Sequence, residues 1–154
     1  MTMPTHLSPE LVDVLAGAAR PRWEGPGVHT VQTPAVGHDW SWSGPSVGAF
    51  KVLAVRATLT TSAAVANRHP GLTYTDRQGN VLAVSVPVAS VTASETAGLT
   101  WAHGLTTITG AGTEQPIALA DLWLPDGATV SVVTANIDVA DQWSNVVIVY
   151  QVVE

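Results

Sequence analysis

From Phe50 to Val153, apolar residues return at every second position in short runs separated by Gly, Pro, Asn and Asp. A period of two is what a pleated strand imposes, because successive side chains point to opposite faces. Residues 50–61 alternate in this way, with Leu53, Val55, Ala57 and Leu59 on one face. Residues 71–76 and 80–88 flank Arg77-Gln78-Gly79, a hairpin loop with a glycine free to take a positive φ. In the second of those strands, Leu82, Val84, Val86 and Val88 are expected to face inward. Further strands are expected over 96–101, 105–109 and 115–119. The turn Leu124-Pro125-Asp126-Gly127 then leads to strands over 128–135 and 143–153. With no helix between them, these runs predict an all-β, jelly-roll-like antiparallel β-sandwich of eight or nine strands.

The chain has 154 residues, which fits one domain of this kind. Charged residues make up only 12% of it, about half the usual share, and hydrophobic residues 46%. Its exterior must therefore be covered by Thr, Ser, Ala and Gly, or by other subunits. Ion-poor surfaces suit large permanent interfaces, where burying a charge is costly. One Lys, five scattered Arg and a net charge of −6 argue against nucleic acid as a direct partner. The absence of Cys removes disulfides, thiolate chemistry and zinc-thiolate sites together. No window approaches ~20 uninterrupted apolar residues, so no membrane partner is expected. Residues 1–10 lack the features of a secretory signal, which predicts synthesis in the cytoplasm of a host cell.

The first 22 residues differ from the rest. Ser8 can cap a helix with Pro9 in its first position, and Leu7, Leu11, Val14, Leu15 and Ala18 form one apolar stripe. Such a helix either packs on its own domain or serves as an arm on a neighbouring subunit. Residues 23–48 form a Pro-, Gly- and Trp-rich lead-in to the 23–154 sandwich, with one short strand over 28–33. If extended there, Trp40 and Trp42 share a side and serve as core or interface anchors, or as a platform for sugar stacking. The last strand is apolar on both faces, with Val146, Ile148, Tyr150 and Val152 on one and Val147, Val149 and Val153 on the other. A strand with one solvated face would alternate. Its outer face should be covered by the N-terminal helix or by a second subunit.

No reactive cluster emerges. Gly44-Pro45-Ser46-Val47-Gly48 matches the G-x-S-x-G of serine hydrolases, but a strand follows it rather than the helix that motif requires. The histidines at 6, 29, 38, 69 and 103 show no metal-ligand spacing. Asn136, Asp138 and Asp141 could offer oxygens to calcium, yet lack the Gly and distal Glu of an EF-hand loop. Loop hydrogen bonding is the commoner use of such residues. No catalytic residue, metal or cofactor is expected.

Several segments carry a resemblance. They are Val52-Leu53-Ala54-Val55-Arg56-Ala57-Thr58-Leu59, Val65-Ala66-Asn67-Arg68, Gly79-Asn80, the Ala-Ser-Val-Thr-Ala-Ser at 89–94, Trp-Leu-Pro-Asp-Gly at 123–127, and Ala-Asn-Ile followed by Asp-Gln-Trp-Ser at 141–144. Together they resemble small β-sandwich structural proteins of tailed-phage virions, over about two-thirds of the chain. The resemblance implies a head decoration or minor capsid protein with no catalytic residues. Physically, Arg68 is placed to pair with Asp141 or Asp138, and Trp123 and Trp143 to seal strand ends. The expected role is a virion component that binds the major capsid protein of an assembled shell as a homo-oligomer, with a trimer favoured. Interface candidates are Leu11, Val14, Leu15, Trp40, Trp42, Val147 and Val149. A neck or tail component is a rival within that class. A carbohydrate-binding module using Trp40, Trp42 and Trp101 is the rival outside it.

Overall fold

The computed structural model describes residues 25–87, 89–106 and 114–153. Ten strands appear among them: β1 Gly27–Thr30, β2 Ser41–Ser43, β3 Ala49–Thr60, β4 His69–Thr75, β5 Val81–Ser85, β6 Thr96–Ala102, β7 Glu114–Ala118, β8 Trp123–Leu124, β9 Thr129–Ala135 and β10 Gln142–Val153. A first sheet runs β1-β10-β3-β6-β7 with β8 also on β3, and a second runs β2-β9-β4-β5. Without the inserted β7 and β8, the eight remaining strands pair first with last: β1 with β10, β2 with β9, β3 with β6, β4 with β5. That long hairpin is then wound so that β10 also lies on β3 and β9 on β4. The result is the antiparallel jelly roll that the sequence period predicts. Its one departure is β7, which runs parallel to β6.

The core lies between the sheets and centres on Trp40, Phe50, Leu59, Leu72, Leu99, Trp101, Trp143 and Ile148, all buried. Gly44 lets the chain cross the Phe50 ring where a Cβ would collide with it. Gly79 takes φ 87° in the β4–β5 turn, as that hairpin requires.

One expected phase fails throughout and another only at Leu53, since Val55, Ala57 and Leu59 share the buried face as expected. Leu53 is only partly buried, while Val52 and Val55 are fully covered. A β-bulge between the pairs Ala54–Val149 and Val52–Tyr150 inserts Leu53 and switches the inward parity from odd to even residues. In β5, Leu82 and Val84 point outward, as does Val86 just beyond it, with 40%, 54% and 58% of their surfaces exposed. Ala83 and Ser85 face the interior instead, opposite Tyr74 and Leu72. The reason is volume. Tyr74 and Trp101 fill the space under this edge, and the Trp101 indole donates to the Ser85 carbonyl at 3.3 Å, so only small side chains fit beneath. Val88, residues 107–109 of an expected strand, and the expected N-terminal helix with Leu11, Val14 and Leu15 lie outside the described residues.

Candidate interaction surfaces

The residues that suggested chemistry turn out to hold the fold. Arg68 closes the β3–β4 connection and Asp141 the β9–β10 connection, and both are fully buried. Nε and Nη2 of Arg68 donate to the two Asp141 carboxylate oxygens at 2.8 and 3.0 Å. Nη1 donates to the carbonyls of Ala64 and Ala66, and Nη2 also to the Ser62 hydroxyl. Asp141 further accepts from the backbone N–H of Ser62 and of Asp138, both at 2.8 Å. Every guanidinium N–H therefore has an acceptor, which is the condition under which a buried ion pair is tolerated. Burial alone would raise the pKa of Asp141. The Arg68 guanidinium and the two backbone donors outweigh it and hold the carboxyl below its ordinary value. The cation in this loop is thus a guanidinium. Asp138 accepts from the Ser62 hydroxyl and the Ala140 N–H, and the Asn136 side-chain amide donates to the Asn67 carbonyl.

Ser46 sits exposed in the loop from β2 into β3, with no helix behind it. Among the described residues no three His, Asp or Glu converge as metal ligands. His29 stacks on Trp42 at 5.2 Å, and a His103 ring nitrogen lies 2.7 Å from the Val52 carbonyl. Sequence reasoning missed Asp39, whose carboxylate accepts from the Trp143 indole, the Thr134 hydroxyl and the Thr134 N–H. A lone acid just before Trp40 carries no signal of that role.

The tryptophans correct two expectations. Trp40 is 2% exposed, so it anchors its own core and neither an interface nor a sugar platform. Trp101, wholly buried, is likewise unavailable as a platform. Trp42 does share the inward side, but its ring is half-covered by His29, Phe50 and Tyr150. Trp143 seals the interior as expected, its indole N–H donating to the Asp39 carboxylate. Trp123 is 41% exposed beneath the Lys51 ammonium, so it seals less than expected.

Two outer faces remain. On the first sheet, β-register aligns Val28, Val149, Ala54, Ala102 and Ala118 in one row across all five strands. The neighbouring row is Thr30, Val147, Arg56, Thr100 and Pro116. Val147 and Val149 are half-buried there and Val28 is 67% exposed, while the second row carries the exposed Arg56 on the central strand β3, paired with Glu114 of β7. On the second sheet, Leu82, Val84 and Val86 project beside Val133, which is 59% exposed. Gly71 lies between them, where a Cβ would contact the Val84 and Val86 methyls.

The chain is thus an all-β jelly roll with apolar outer faces and no reactive cluster among its described residues. Similar solved chains come from infectious bursal disease virus. One from the Gt strain is 12% identical, covers 88% of this chain and 34% of that one, and has a TM-score of 0.35. One from the T13 IBDV viral particle is 15% identical over 85% and 32% of the two chains, with a TM-score of 0.38. One from the Gx strain is 13% identical over 86% and 33%, with a TM-score of 0.37. This chain therefore spans about a third of the length of each. No protein-family model and no curated protein matches it.

Proposed function

We propose that this protein is a non-enzymatic virion component that coats or completes an assembled shell by binding its major capsid protein. The observation that carries the reading is the apolar row across the first sheet, from Val28 through Val149 to Ala118. A sheet face that meets only water normally alternates toward polar residues. One row of this face is Val and Ala throughout, and the only charged side chain in the next row, Arg56, is already paired with Glu114, so a partner packed along the apolar row leaves no charge without a counterion. The protein acts as an oligomer, with a trimer favoured. Several weak contacts then add up to firm attachment.

The test is co-sedimentation of the purified protein with empty shells assembled from a tailed-phage major capsid protein. Val149→Glu should abolish co-sedimentation while leaving the fold intact by circular dichroism. Equal binding by that variant, or none by the unaltered chain, would sink the reading. A neck or tail location is separated by whether the partner in such an assay is shell or tail. Sugar binding through Trp40 and Trp101 draws no support from their buried positions.

A further inference from the structure

The turn between β8 and β9 carries Asp126-Gly127, the one Asp-Gly pair in a sequence that has no Asn-Gly. An aspartate followed by glycine is chemically vulnerable, because no side chain shields the glycine nitrogen from the neighbouring carboxyl. This turn cannot do without that glycine. Gly127 takes φ 69°, which L side chains rarely adopt. The Arg77 guanidinium also lies over it, with Nε and Nη2 both 2.8 Å from where a Cβ would stand. The fold thus requires a glycine where its presence leaves the preceding aspartate most open to attack. Both reacting groups are nevertheless held. Arg77 Nη2, from the β4–β5 turn, donates to Asp126 Oδ2 at 2.9 Å. The Gly127 N–H donates to the Pro45 carbonyl of the β2–β3 loop at 3.1 Å, and the Ala128 N–H closes the turn on the Pro125 carbonyl at 3.2 Å.

We propose that Asp126-Gly127 is a covalent modification site, converted to isoaspartate, that Arg77 and the Pro45 carbonyl hold shut while these three loops stay together. In the reaction the Gly127 nitrogen bonds to Asp126 Cγ. Its proton leaves with a carboxyl OH as water, closing a five-membered succinimide. Water then adds to either ring carbonyl and opens the ring. One opening restores aspartate, and the other leaves isoaspartate with the main chain routed through Cγ. No reagent other than water is needed. Ring closure requires the nitrogen and Cγ to approach within about 3–3.5 Å in alignment. A carboxylate drawn to Arg77 and an N–H aimed at Pro45 are kept from that approach. Arg77 is therefore a positioning residue with a protective role. Isoaspartate lengthens the main chain by one carbon between β8 and β9, displacing Ala128, whose carbonyl accepts from the Gly44 N–H at 2.9 Å. The inference does not depend on the virion reading.

The full chain is aged at neutral pH and body temperature, both folded and unfolded in guanidinium chloride. It is then mapped with an endoprotease that cuts before aspartate but not before isoaspartate. Loss of the cut between Pro125 and Asp126, at unchanged mass, is the readout. The folded chain should lose it at least about tenfold more slowly than the unfolded one, since both contacts must break first. Arg77→Ala should speed the loss in the folded chain about two- to fivefold, the factor an exposed ion pair carries, at a nearly unchanged thermal midpoint. Ile148→Val truncates a buried side chain of β10 in the other sheet. It weakens the whole fold without touching this turn and should leave the rate alone. The inference is overturned if folded and unfolded chains age alike, or if Arg77→Ala ages no faster than the unaltered chain. It is also overturned if Ile148→Val speeds the loss as much as Arg77→Ala does, because the protection would then belong to the fold as a whole.

Discussion

The end of the sandwich where β3 hands over to β4 and the flank at β5 treat charge in opposite ways. At the first, one of the chain's six basic side chains is withdrawn from water entirely and tied to Asp141 with all its donors used. At the second, a solvent-facing strand and the nine residues after it carry no charge at all. Ordinary surfaces do the reverse, spending ions outside for solubility and keeping interiors neutral. The difference teaches that charge at the first end ties one loop to another, while the β5 flank does without it.

Breaking the ionic end should produce the largest effect. Asp141→Asn or Arg68→Met leaves a buried, uncompensated partner, and we expect a loss of about 3–5 kcal/mol in denaturant unfolding. The double variant should lose less than the sum of the two. The same pair sets an acid limit. Because the folded pKa of Asp141 is depressed, its stabilisation is fully present above the unfolded value of ~4. It is lost as pH falls through the lower folded value. Unfolding free energy measured from pH 5 down to pH 2 should fall more steeply for the unaltered chain than for Asp141→Asn. Equal slopes would remove Asp141 from the account.

Next in size, Ala83→Leu should cost about 1–3 kcal/mol by overfilling the space under β5. Val84→Thr, one position along and pointing outward, should stay within about 0.5 kcal/mol in the isolated chain. If their costs were reversed, the phase described for β5 would be wrong. The Tyr74 hydroxyl is buried without a hydrogen-bond partner among the described residues, and burial pushes the pKa of the phenol up. Tyr74→Phe should therefore be neutral or raise stability by up to about 1 kcal/mol, read as a small shift in thermal midpoint.

Periodicity made the strands legible, because β3, β9 and β10 are long enough for alternation to show. The side facing the core was a separate matter. Leu82, Val84 and Val86 alternate in an orderly way, yet the space beneath is taken by Tyr74 and Trp101, residues distant in sequence, and the smaller Ala83 and Ser85 turn inward. In β3 a single bulge at Leu53 reverses the pattern without any Gly or Pro to announce it. β2 and β8, at three and two residues, are too short to carry a period. Arg68 with Asp141 was readable because two opposite charges beside loop ends had few other partners in so ion-poor a chain. The outer row ending at Val28 depends on which residues face one another across five strands, and that is a property of topology. Val147 and Val149 alone gave it away, through a strand apolar on both sides.

Gly27 pairs with Tyr150, so the peptide leading into β1 and the one leaving β10 share a single corner of the first sheet. A tag or cargo carried beyond β10 would emerge at the corner where the chain enters β1, crowding the face we assign to the shell. The tip at Gln78-Gly79 is the roomier place to graft a foreign peptide: both residues are exposed and the loop belongs to the other sheet.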